Sequence, residues 1–284
     1  FTVPATGGTE VPRDPLAGDP VLEKLLQKRQ EKEAKQKDPE PATLKPAEAA
    51  ARQEDEKPLS AEPDAELDRV LDQMEKVRSK FKSLECKLTQ RKEVPAFEID
   101  DEYSGALKFR APRFLRMELR GPAAKGERKP EQRTTITIVN DEYAFLWRVE
   151  DKEAERFKLP AIEEKKFSER NPLEYGLAAD VRNLKQDYFL NLRGKETVDG
   201  REAHVVVAGP MPHLKNAPYK RLYFWVDAQT WMPIRFRQVK SDGEVIETYT
   251  LSGIKLDPFW WGDPFDRPPR SVKIIAHDLA EPRK

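Results

Sequence analysis

Cysteine is nearly absent from this chain: Cys86 stands alone among 284 residues. One thiol cannot close an intramolecular disulfide or build a thiolate metal site. Histidine is almost as scarce. His204, His213 and His277 are scattered, so neither an HExxH helix nor a Cys/His zinc pattern can be drawn. No GxSxG elbow and no phosphate-cradling glycine loop ahead of a helix occurs. No apolar run approaches the roughly 18 to 20 residues that a membrane helix requires. Net charge is missing too. The 51 basic and 51 acidic side chains cancel, leaving no overall field to draw the chain to nucleic acid. The expectation is a non-enzymatic protein with no catalytic residues, no metal, no cofactor and no nucleic-acid partner.

What is present is unevenly distributed. Nine of the 24 prolines fall within the first 63 residues. Residues 1–62 therefore read as a disordered arm or linker rich in Pro, Glu and Lys. Order is expected to begin at Asp64, an N-cap just after Pro63. Leu67, Val70, Leu71, Met74, Val77, Phe81 and Leu84 then recur at three- and four-residue steps, which predicts one apolar stripe on a helix of about five turns.

From Glu85 the period moves toward two. Strands are predicted at 85–94, 103–110, 114–120, 133–140, 142–149, 155–159, 187–198, 203–208, 219–227, 232–240 and 244–255. A helical stretch at 171–184 interrupts them, with Asn171 as cap, Pro172 in the first turn, and Leu173, Leu177, Val181 and Leu184 on one face. Asp199-Gly200 and Asp242-Gly243 are hairpin turns. Short connections favour antiparallel pairing. Glu98 to Glu102 reads as a solvated acidic turn.

The strands alternate large apolar with polar side chains, as a sheet with one wet face does. Accumulated twist curls a sheet of this size. The expected fold is α+β: a curved antiparallel β-sheet, an unclosed half-barrel of about eleven strands, with helices covering the concave face. That domain spans 63–257, and 258–284 forms a C-terminal extension. The two helices are expected to cover only part of the apolar face. The remainder is either a closed core or a ligand cleft. The candidate lining is Leu107, Phe109, Met117, Ile136, Ile138, Phe145, Trp147, Leu222, Phe224, Val226, Ile234 and Phe236. Met74, Phe81, Leu177, Trp260 and Trp261 are candidates for a lid or rim.

Several segments resemble one family. The first helix, Ser83-Leu84, Gln90 and Gly105-Ala106-Leu107-Lys108-Phe109-Arg110-Ala111-Pro112 look like the start of the LolA-like lipoprotein carriers, which show a helix, a "sl…f.Q" strand and a "G.l…rP…r" strand. Leu222-Tyr223-Phe224-Trp225-Val226-Asp227-Ala228-Gln229-Thr230-Trp231-Met232-Pro233-Ile234-Arg235 resembles their "lwvD..t.lPvr" hairpin. Asp199-Gly200-Arg201-Glu202-Ala203 resembles their "v.Gr.ay.l" segment. The resemblance covers about residues 64 to 256.

It implies a periplasmic half-barrel with a helical lid, a monomer that shields lipid acyl chains and carries or senses lipoproteins. The implied export fits a chain that begins at Phe1, with the arm as a candidate tether. An inner-membrane release complex or an outer-membrane acceptor would be its partner. The alternative is an envelope regulatory or interaction module on the same fold with its cavity filled. In the carriers an Arg directly before the Pro of the second strand gates the lid. Here Ala111 holds that place, and Arg110, one residue earlier, is the gating candidate. A one-residue shift along a strand reverses the face.

A triacylated ligand sets the energy scale. Exposing roughly 45 methylenes at about 0.8 kcal/mol each amounts to about 36 kcal/mol, whereas non-covalent affinities saturate near about 20 kcal/mol. Shielding would be partial, or opening would be coupled to it.

Overall fold

Asp64 starts the first helix in the computed structural model, which describes residues 59, 64–122, 132–159, 181–214, 217–241 and 243–277. Its carboxylate accepts from the Glu66 and Leu67 amides at 2.9 and 3.0 Å, satisfying two donors that the first helical turn leaves open. Helix α1 runs Ala65–Arg78 and buries Leu67, Val70, Leu71 and Met74. It is shorter than the periodicity predicts. Phe81 and Leu84 continue the spacing, but the chain has already turned, and strand β1 begins at Ser83. The Asp257 carboxylate fixes that turn by accepting from the amides of Lys82 and Ser83, both at 2.9 Å. Tertiary anchoring overrides helical periodicity here.

Twelve strands follow: β1 Ser83–Val94, β2 Ile99–Arg110, β3 Phe114–Gly121, β4 Arg133–Val139, β5 Tyr143–Arg148, β6 Glu153–Lys158, β7 Tyr188–Val198, β8 Arg201–Pro210, β9 Tyr219–Asp227, β10 Pro233–Lys240, β11 Ile246–Leu256 and β12 Lys273–His277. A short helix, α2, spans Val181–Asp187. The strands form one sheet in the order β12-β6-β5-β4-β3-β2-β1-β11-β10-β9-β8-β7. It is unclosed, with β12 and β7 as its edges.

Eleven strands are antiparallel, as expected, and β12 lies parallel to β6. Five residues at the end of a Pro-rich stretch carry too little alternation to announce a strand. The C-terminal segment, expected as an extension, thus contributes to the sheet. Asp100 to Glu102, expected in a turn, belongs to β2, where Arg91 across the pair holds Asp100 at 2.6 and 2.7 Å. The predicted Asp199-Gly200 hairpin is present, with φ of 48° and 78°, the left-handed pair that a two-residue turn demands. The arm apart from Leu59, and Asn171, Pro172, Leu177 and Asp242, lie outside the described residues.

The sheet must curl. One buried cluster joins the α1 stripe to β1, β2, β3 and β7–β11. Laid flat, those eight neighbouring strands would span about 34 Å at about 4.8 Å per step, whereas a helix of 14 residues is about 21 Å long and about 10–12 Å wide. Arg78 of α1 lies 5.5 Å over the Phe109 ring on β2, and α1 also reaches β7. One helix meets both because the sheet bends round it.

The β9–β10 turn is tied by a buried carboxylate. Asp227 accepts from the Thr230 amide and hydroxyl at 2.7 Å each and pairs with Arg201 at 2.7 Å. Burial alone would raise this carboxyl, but the Thr230 and Arg201 bonds outweigh it and hold it below its ordinary value. Its contribution to stability is therefore complete above the unfolded pKa, near about 3.9, and is lost as pH falls through the lower folded value. Asp227→Asn is expected to cost about 1–3 kcal/mol at pH 7. Urea unfolding at pH 7 and pH 3 should show the difference between wild type and variant shrinking in acid.

Candidate functional site

The inner face, on which α1 lies, has two chemically distinct ends. Around α1 it is apolar. Leu107, Phe109, Leu222, Phe224, Val226 and Phe236 are buried in the same cluster as the α1 stripe, and Met117 packs against it. Phe224 and Phe236 meet edge-to-face at 5.7 Å. Met74 belongs to the stripe, and Phe81 packs at the end where α1 stops. The expectation that helices leave much of this face open is therefore corrected: α1 covers it, and the residues named are almost inaccessible except Met117, which is partly buried. The helix can do so because the sheet curls far enough for eight strands to share one stripe.

Toward the other end of the strands the inner face becomes polar. Gln90 donates to the Tyr249 hydroxyl at 3.1 Å, and that hydroxyl donates to Glu247 at 3.2 Å. Gln238 also donates to Glu247. Tyr219 and Tyr103 pack against the same cluster, and Tyr188 is buried at its margin. Burial pushes the Tyr188 hydroxyl up to about 12. It raises Tyr219 and Tyr249 as well, with the Glu247 charge adding to the effect. All three stay protonated at neutral pH. The Tyr188 hydroxyl has no partner among the described residues, so it is a donor available to a ligand oxygen. No sequence pattern announced this band, because its members lie on β1, β2, β7, β9, β10 and β11.

Five predicted lining residues are on the other face. Met117 pairs with Thr137, which pairs with Leu146. Partners directly across a sheet share a face, so Ile136, Ile138, Phe145 and Trp147 point away from α1 and form their own cluster. Ile234 joins a third cluster with Val205, Val207 and Trp225. A bulge between Pro233 and Arg235 inserts it, and a bulge breaks the alternation that would have kept Ile234 with Phe236. Size and apolarity suggested one lining because the cover over the outer face could not be foreseen.

That cover is the segment after β11. Phe265 is 2% exposed and lies 5.6 Å from Phe114, while Arg110 sits 4.7 Å over its ring and pairs with Asp263 at 3.2 Å. Arg110 thus faces away from α1 and secures the C-terminal segment. Trp260 donates to Glu85 at 2.7 Å and is half-buried. Trp261, by contrast, is 94% exposed. Between this segment and β3–β6 lies a cavity of about 640 Å³ bordered by Phe114, Tyr143, Phe145, Arg156, Phe265 and Arg270.

Polar contacts of α1 include an ion pair and two cation–ring contacts. Lys185 of α2 pairs with Asp68, Arg69 lies 5.7 Å over Trp231, and Arg78 lies 5.0 Å over Phe81. The exposed Lys185–Asp68 pair contributes up to about 1 kcal/mol. Apolar burial holds the helix in place. Cys86 reports on it, being 3% exposed within the α1 cluster, with burial and the neighbouring Glu85 charge pushing its thiol up to about 12. At pH 8 it should react with an aromatic disulfide reagent at least about a thousandfold more slowly than in unfolded chain, as stopped-flow absorbance would show.

Among the described residues no cluster of metal-ligating side chains occurs, and no helix is long and apolar enough to cross a membrane. A family model described as "Uncharacterized protein" matches residues 177–261. No curated protein matches the chain. Solved structures similar to it include an uncharacterized conserved protein from Thermus thermophilus, with TM-score 0.45, 10% identity, and coverage of 75% of this chain and 99% of that one. Another is a putative outer membrane lipoprotein-sorting protein domain from Vibrio parahaemolyticus, with TM-score 0.37, 10% identity and coverage of 69% and 95%. A LolA superfamily protein from Nitrosomonas europaea matches with TM-score 0.31, 12% identity and coverage of 68% and 94%.

Proposed function

We propose that this chain is a non-enzymatic lipid-binding protein of the bacterial envelope, acting in the periplasm, which holds an acyl chain against the inner face with α1 as its lid. The observation that carries this reading is the apolar inner face held shut by one amphipathic helix. Leu67, Val70, Leu71 and Met74 are 0–4% exposed, and at about 1.5–3 kcal/mol each their burial contributes about 6–12 kcal/mol. A sixteen-carbon acyl chain, at about 0.8 kcal/mol per methylene, gains about 11 kcal/mol on leaving water. One chain therefore offsets displacement of the α1 stripe, giving a closed empty state and an open loaded state of similar free energy. The unpartnered Tyr188 hydroxyl at the other end supplies a donor for a carboxylate or ester oxygen, so the head group lies in the polar band and the tail beneath α1. The ligand class is an acylated lipid or lipoprotein.

Native mass spectrometry of detergent-free protein incubated with palmitate tests this. The expected spectrum shows one palmitate per chain, lost in Leu107→Glu and Phe236→Glu variants that keep the wild-type circular dichroism. An unmodified mass throughout the titration would refute the reading.

The closed inner face favours one second reading: an envelope interaction module whose cavity is permanently filled. It predicts that α1 never leaves the sheet, so saturating palmitate would leave Cys86 as protected as before.

A further inference from the structure

The chain leaves β11 through a rigid turn that ends in two bare aromatic rings. Phe259 is 80% exposed and Trp261 is 94% exposed, and the rings contact each other edge-to-face at 5.4 Å. Leu256, the last residue of β11, is 46% exposed three residues before Phe259. Single exposed apolar side chains are ordinary on a protein surface, but contiguous ones mark a contact.

The base beneath the rings is fixed. Asp257 has φ of 46°, and its carboxylate accepts from the Lys82 and Ser83 amides. Trp260 is pinned by its 2.7 Å bond to Glu85 and packs 5.6 Å from Phe265. Gly262, with φ of 77°, closes the turn. Pinned neighbours on either side of Trp261 hold the tip outward, where nothing in the fold needs it.

We propose that Phe259 and Trp261 dock this protein onto an anionic lipid surface. Rings exposed to 80% and 94% suit a fluid partner that closes around them better than a flat protein face. Tryptophan's amphipathic ring also prefers the headgroup region of a bilayer. Charge at the base complements such a surface even though the whole chain is neutral. Glu85 pairs with Lys108 and Asp263 with Arg110, while Asp257 keeps its single negative charge on the Lys82 and Ser83 amides. Lys80, Lys82 and Lys255 are exposed around the same turn. Juxtaposed lysines of this kind add attraction to anionic headgroups. The inference stands on the tip alone and does not require the inner face to bind an acyl chain.

Co-sedimentation of the full chain with vesicles of phosphatidylcholine, or of phosphatidylcholine with phosphatidylglycerol at about 3:1, tests it. Wild type should partition onto the mixed vesicles, and its tryptophan emission should shift to the blue. A Phe259→Ala/Trp261→Ala double variant should bind at least about tenfold more weakly with an unchanged melting temperature, since both side chains are exposed. A Lys80→Gln/Lys82→Gln/Lys255→Gln triple variant should lose the preference for the anionic mixture. Failure of wild type to bind either vesicle would overturn the proposal, as would wild-type binding by the double variant. Palmitate binding by the double variant should match wild type, so failure of the tip and failure of the inner-face reading are separately visible.

Discussion

Leu71→Asp is expected to detach α1 from the sheet and to raise the reactivity of Cys86 at least about a hundredfold. Leu71 is 2% exposed at the centre of the stripe, and an ionised carboxylate there would have no partner to offset its desolvation. The helix can escape that penalty only by leaving. Its departure forfeits the stripe's burial, which is of the same order as the whole stability of a domain, about 5–15 kcal/mol. Partial opening and global unfolding are separable, because β-sheet circular dichroism survives the first and not the second. Asp68→Asn removes only the exposed Lys185 pair and should change stability by less than about 1 kcal/mol. Wild-type thiol protection in Leu71→Asp would show that apolar burial is not what holds the lid.

Gly105→Ala is expected to be the most damaging single-methyl change in the sheet. A Cβ at Gly105 would stand 1.8 Å from the Glu118 carbonyl oxygen and 2.8 Å from its carbon. Both atoms are backbone of β3, so no rotamer change relieves the clash, and β2 and β3 must separate where Gly105 pairs with Leu119. The expected loss is at least about 3 kcal/mol, a fall in melting temperature of about 6–12 °C for a domain of this size. Gly253→Ala is the control. Its φ is 59°, but its Cβ would meet open space, so only the backbone penalty, about 1–2 kcal/mol, applies. Differential scanning calorimetry of the three proteins ranks them directly.

The sheet was legible in the sequence wherever alternation and turns agreed. Asp199-Gly200 marks a turn, and the run around Phe109 marks a strand because one of its faces is buried in a single cluster and the other carries Lys108 and Arg110. Legibility failed where the apolar face of a strand is not the one that meets the helix. On β4, Ile136 and Ile138 look like core and are core, but of the outer face, because Phe265 and its neighbours arrive from more than a hundred residues away to cover β3 and β5. Local alternation says which residues share a face; it cannot say which face meets the helix. Ile234 was lost to a bulge that shifts the register by one residue, and β12 to its shortness. The polar band was invisible for another reason. Tyr188, Tyr219, Tyr249 and Gln90 come together only through the strand order, with β1 paired to β11, and no spacing along the chain encodes that pairing.

The placement of candidate residues on two faces makes the central claim testable by position. Palmitate carrying a photoactivatable diazirine near its tail should be bound by the full chain, irradiated, and mapped by peptide mass spectrometry with unlabelled palmitate as competitor. Adducts are predicted on Leu71 or Met74 of α1 and on Leu107, Phe109, Phe224 or Phe236 of the sheet. Competable adducts confined to Ile138, Phe145 or Phe265, on the opposite side of the same strands, would contradict the account.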